Sequence, residues 1–313
     1  MNADAAAARM GATVQELQGA LGRLCDEEVT DGLWPDRLQA LQQRLAAVAA
    51  GAPDELLLVL IAGAARLQPR YGVHHALACA PIVGLAAAVL GWTEEEQRTV
   101  MLAALTMNLS ITALQDDLAH RERTLTVEQR LAVESHPARS VERLRALGVD
   151  DALWLDTVGL HHREPDELLA ALPPAARLAA LLRRVDVFVA KVSPRAGRPG
   201  LPTTQAARDA CLGPDGRPDT LGAAILRSLG LYPPGSLVTL VNGETAVVWQ
   251  RGARLDQPLV LSIAGTSRQP LPQPLLRRTA DAAYAIKGPA GRAEARIPWD
   301  PQALLDAARP LSA

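Results

Sequence analysis

Five of the six histidines and one aspartate have the residue types and chain order of a hydrolytic metal centre: His74-His75, His136, His161-His162 and then Asp186. Imidazole and carboxylate are common protein ligands for metals that activate water. Between the first pair and His136 stands Met107-Asn108, a thioether and a neutral amide where a further ligand pair would be expected. Both are poor substitutes. The set reads as a metallohydrolase centre that has been partly dismantled.

Each histidine also has an ordinary reading. His75 lies in the apolar stretch GVHHALACAPIVGLAAAVL, where an inward ring must find a hydrogen-bond partner or a metal. His136, in VESHPARSVERL, is expected at the start or early turn of a helix. His161 and His162 would stand about 100° apart on a helix. Both reach one centre only near a helix end or at a wide metal site; otherwise one ring is buried and the other solvated. Cys25, Cys79 and Cys211 are isolated, which points to three packed small hydrophobes rather than a disulfide or a metal knuckle.

The elements that must position these residues are mostly helical. Ala and Leu dominate and aromatics make up 3%, so the composition implies a mainly α chain. Residues 1–70 read as a helical lead-in with amphipathic runs broken at Trp34-Pro35 and Gly51-Ala52-Pro53. Longer helices follow over 71–230, with capping-box spacing at Thr93/Glu96 and Thr126/Gln129. Over 231–313 the texture changes. SLVTLV, Asn242-Gly243 and ETAVVWQ form a hairpin signal of the type I′ kind, PLVLSIA reads as a further strand, and the remainder as loops with one short strand. A small C-terminal β appendage is expected.

Charge and hydropathy exclude some partners. A formal charge of −2 supplies no basic field for nucleic acid or an anionic membrane surface. The run LLLVLIAGAA is too short to span a bilayer and the N-terminus lacks a basic flank, so a cytoplasmic location is expected.

Segments in a consistent order carry a resemblance. HHALACA leads to a Gly-Trp turn and AALTMNLSI; Leu125-Thr126 leads to SHPARS; then come LHHREPD, VDVFVAKVSPRAGRP and LGLYPPGSLVTLVNGETAVV. From Tyr71 to Gly243 the chain resembles the HD-GYP branch of the HD phosphohydrolase superfamily, whose active members hydrolyse the bacterial messenger cyclic di-GMP. The resemblance implies an HD-type helical bundle. It also implies that His75, His136, His161, His162 and Asp186 occupy ligand positions, with Asn108 replacing a metal-bridging aspartate. Tyr71 stands where members with a third metal have Glu, and Ile111 where members have a phosphate-facing lysine. The segment REPDELLAALPP after His162 lacks the Gly-Tyr-Pro loop.

On that footing the two halves of the centre differ. His75 and Asp186, without a bridging carboxylate, are the remnant of a lost metal position. His136, His161 and His162 could still hold one divalent ion, zinc or iron. Lys191 and Arg195 follow Asp186 where the family meets substrate phosphate, and Arg can do so without metals. The competing reading pairs these two cations with Asp186 or Glu164 at the surface. The expected function is a degenerate signalling module without cyclic di-GMP phosphodiesterase activity, binding cyclic di-GMP or a related nucleotide, or a signalling protein partner. The alternative is a phosphohydrolase with a mononuclear His-ligated centre.

Overall fold

A computed structural model of the chain describes residues 10–27, 31–122, 124–164, 168–213, 215–291 and 296–309. The lead-in forms α1 (Met10–Asp26), α2 (Trp34–Gly51) and α3 (Pro53–Ala64). The helical runs break at Trp34-Pro35 and at Gly51-Ala52-Pro53, and each proline stands in the first turn of the next helix, where no amide partner is needed. The central region continues with α4 (Tyr71–Val89), α5 (Glu94–Thr106), α6 (Thr112–His120), α7 (Val127–Ala146), α8 (Ala152–Leu160), α9 (Pro174–Val192), α10 (Thr203–Cys211) and α11 (Thr220–Leu229). Strands β1 (Leu237–Leu240), β2 (Thr245–Gln250), β3 (Leu259–Ala264), β4 (Pro270–Arg278) and β5 (Ile286–Pro289) follow, and α12 (Pro301–Ala308) ends the described chain.

Helix α4 is the axle of the bundle. It is apolar around its whole circumference, 15 of its 19 residues are buried, and it packs against α1, α2, α3, α5, α6, α9 and α11. Among the described residues it is the one single helix long and apolar enough to cross a membrane, and 78% of that window is covered by the rest of the fold. The bent pair α2–α3 passes the same test only if taken as one span, and it turns through 114°. Gly63 on α3 lets α4 approach: a Cβ there would sit 2.6 Å from the His74 ring.

Both capping boxes form. Thr93 caps α5 with Glu96 and Thr126 caps α7 with Gln129, each pair exchanging backbone and side-chain bonds. The five strands make one antiparallel sheet in the order β4-β3-β2-β1-β5. One sheet face, with Val247, Trp249, Leu261 and Ile263, joins the main core. The other, with Val238, Leu240, Val248 and Val260, is covered by Tyr232, Tyr284 and Ile286.

Three local expectations need correction. His136 is the tenth residue of the 20-residue α7, not near its start. The Asn242-Gly243 turn is not type I′: Gly243 alone has positive φ (+85°), its amide donates to Leu240 O, and the Leu240 amide donates to Glu244 O. That pattern is a type I turn closed by a glycine bulge. Beyond β3 the chain is not mostly loop: it adds the nine-residue β4, the short β5 and α12, which packs on α1, α3 and β4. The prolines of PLPQP hid β4, which tolerates them as an edge strand.

Candidate metal centre

Two helices bring three imidazoles to one point. His136 projects from the middle of α7, while His161 and His162 follow directly on the last residue of α8. Ending the helix there removes the angular separation that would otherwise hold neighbouring rings apart. One ring nitrogen from each residue lies within 4.8 Å of the other two, and the ring centroids are 4.2–5.1 Å apart. His136 and His161 are buried and His162 is exposed, so the cluster has a closed side and an open one.

The orientation of the rings has a traceable cause. Proline at 137 has no amide to give to the carbonyl four residues back, which is Val133. His136 Nδ1 donates to that carbonyl at 2.5 Å. His161 Nδ1 likewise donates to Val158 O, at 2.7 Å, near the end of α8 where carbonyls run short of amide partners. A carbonyl can only accept, so both Nδ1 atoms carry the proton and both Nε2 atoms present lone pairs. Those Nε2 atoms face each other at 3.2 Å.

Two facing lone pairs need a cation or a proton between them. Burial pushes both rings toward the neutral form, His161 down to about 4, so a shared proton is disfavoured near neutrality. The separation matches a metal instead, since two nitrogens on tetrahedral zinc stand about 3.3 Å apart when each bond is about 2.05 Å. Backbone carbonyls on the outer nitrogens are the usual way such ligands are oriented. The three residues therefore fit a divalent ion.

His75 and Asp186 do something different. His75 Nε2 bonds Asp186 Oδ1 at 2.7 Å, and Cys79 Sγ lies 3.6 Å from the same nitrogen. Burial raises the Asp186 carboxyl, but the bond and charge of His75, with the fields of His161 and His162, outweigh it and hold it down at about 2. The carboxylate thus lies within electrostatic reach of the trio while its close bond goes to His75. His74 takes the ordinary reading: its Nε2 donates to Leu60 O at 3.1 Å, and burial lowers it to about 4.

Asn108 is buried two residues beyond α5, and its backbone carbonyl accepts from Ile111 N and Thr112 Oγ1. Ser110 Oγ donates to the His136 carbonyl at 3.1 Å, tying this segment to α7 beside the trio. Ile111 is buried, without charge to offer a phosphate. Lys191 pairs with Asp209 on α10 at 2.6 Å, not with Asp186 or Glu164. Arg195 donates to the Tyr71 hydroxyl at 2.9 Å and lies over that ring, and Tyr71 stacks on His75 with centroids 5.8 Å apart. No sequence signal marks this Arg195–Tyr71–His75 contact, since 124 residues separate the first two. Residues 165–167 of the REPDELLAALPP segment lie outside the described residues.

The fold and site define a mainly α chain with a small C-terminal sheet and a three-histidine centre able to hold a metal. Over 207 residues it is 27% identical to the Pseudomonas aeruginosa protein named cyclic di-GMP phosphodiesterase PA4108, covering 64% of this chain. The matched region spans about half the length of that relative. No family model and no solved structure matches the chain.

Proposed function

We propose that the chain is a degenerate HD-GYP-like signalling module that keeps one metal ion on His136, His161 and His162, binds a phosphoester nucleotide, and does not turn over cyclic di-GMP. The observation that carries this is the division of the ligand set: three imidazoles converge on one point while His75 and Asp186 bond to each other. The likeness to a cyclic di-GMP phosphodiesterase supports the choice of ligand class.

The missing activity follows from charge. In-line hydrolysis of a phosphodiester by two metals needs both ions to stabilise the attacking and leaving oxygens. A bound ion on the trio would supply a Lewis acid and an acidified water. Asn108 brings no negative charge to bridge a second ion, and Ile111 brings no cation to the phosphate. Arg195, held by the Tyr71 hydroxyl, is the cation this reading assigns to a phosphate oxygen, a contact that needs no metal. Lys191 could join it only by leaving Asp209.

Calorimetric titration of the purified chain with cyclic di-GMP and its linear product, beside a turnover assay with added zinc or iron, tests the proposal. Binding without hydrolysis is expected, with weaker binding by Arg195→Gln. Turnover that is abolished in His161→Ala would replace this reading with that of a mononuclear phosphohydrolase. The exposure of His162, which leaves one side of the centre open to solvent, is what favours that second reading.

A further inference from the structure

A groove of about 400 Å³ lies between α9, the start of α11 and the segment around Leu168–Leu172. Leu168, Leu169, Leu172 and Leu221 supply its aliphatic lining, and Arg183 and Arg184 line it as well. The volume falls within the range of small-molecule sites. Two of its lining residues stand close in the chain to residues of the centre. Glu164, which lines it, comes two residues after His162, and Arg183 precedes Asp186 by three residues on α9, about 4.5 Å along the helix axis.

The two arginines are not equivalent. Arg184 pairs with Asp219, whose other oxygen accepts from Gly222 N and caps α11, so this pair has a structural task. Arg183 pairs with Glu164 at 2.7 Å, and the Glu164 side chain is 76% exposed. A carboxylate so solvated holds its partner weakly, so an incoming phosphate can displace it. Leu168, 84% exposed, adds accessible apolar surface to the groove. A guanidinium that can stack on a plane or fork to a phosphate, in one groove with aliphatic side chains, matches a phosphorylated planar ring.

We propose that this groove binds the base and sugar-phosphate of a nucleotide, with Arg183 taking a phosphate and the leucines taking the ring. The inference rests on the phosphoester reading above and adds a subsite to it, which begins two residues along the chain from His162.

Titration of the full-length chain with GMP, ribose 5-phosphate and inorganic phosphate tests this, with metal content measured on the same preparations. GMP is expected to bind more tightly than either smaller probe. Arg183→Gln should weaken GMP by about tenfold or more, as loss of a charge-assisted bond does. Glu164→Gln, which frees Arg183 and lies on the surface, should strengthen it. Leu168→Ser should weaken GMP but leave inorganic phosphate unchanged. The proposal is overturned if GMP does not bind, if it binds no better than ribose 5-phosphate, or if Arg183→Gln and Glu164→Gln leave its affinity unchanged. Any of these results with metal retained would remove the groove and leave the metal centre standing. GMP binding that responds to Arg183 in a chain that holds no metal would do the reverse.

Discussion

Single residues decide what this centre can be. Pro137 acts by what it lacks: without its amide, Val133 O is left to orient His136. Pro137→Ala is expected to stabilise α7, since an interior proline costs about 3 kcal/mol, yet to loosen metal, because the new amide competes with His136 Nδ1 for the carbonyl. Thermal melting and a metal-chelator competition measure the two effects, and metal affinity unchanged by the substitution would refute the orienting role. His74 and His161 set the acid limit. Burial lowers both from 6.5 to about 4 in the folded chain, so the unfolded chain takes up their protons first. Their contribution is full above about 6.5 and is lost as pH falls toward 4. Metal-free protein should lose melting temperature across that window, and His74→Leu, less stable at neutral pH, should lose less of it. Asp186 acts lower: its depressed carboxyl stabilises above 3.8 and ceases to as pH falls toward 2.

At the scale of elements, much was legible because local chemistry decided it. The capping boxes at Thr93 and Thr126 and the strands β2 and β3 could be read from neighbouring residues, whereas the helix end that brings His161 and His162 together was one of several open readings. What could not be read depended on contacts made elsewhere. The Pro in SHPARS suggests a first turn, but packing of α7 on α8 and on the Leu109–Ile111 turn keeps the helix running through it. The Asn-Gly pair specified a turn, and the bulge geometry was left to the strand register. The Arg195–Tyr71–His75 stack joins segments far apart in the chain, so no local pattern encodes it. Gly63 marks another such place. Gly63→Ala would press a methyl into the His74 ring and should cost about 1–3 kcal/mol, read by denaturant unfolding. An unchanged midpoint would mean that α3 and α4 can separate without penalty.

Across the whole molecule, the sheet and the helices share a core. The main cluster runs from Met10 on α1 to Ala308 on α12, and Val247, Trp249, Leu261 and Ile263 belong to it. Arg251 fastens β2's end to α3 through Asp54 at 2.5 Å, and it donates to the Ser228 carbonyl at 2.7 Å. A chain ending at Gly230 would therefore expose the face of α3 that the sheet covers. It is expected to melt well below the full chain or to aggregate; an equal melting temperature would show the sheet to be dispensable. Because α3 packs on β2 and also holds His74 through Leu60, the sheet supports the helix that carries His74 and His75.

The centre itself is tested most directly by the metal content of protein purified without added metal, set beside the variant with His136, His161 and His162 all changed to Ala. About one zinc or iron per chain is expected in the parent, as a three-histidine site would hold, and none in the variant. Equal and negligible metal in both would contradict a surviving metal site.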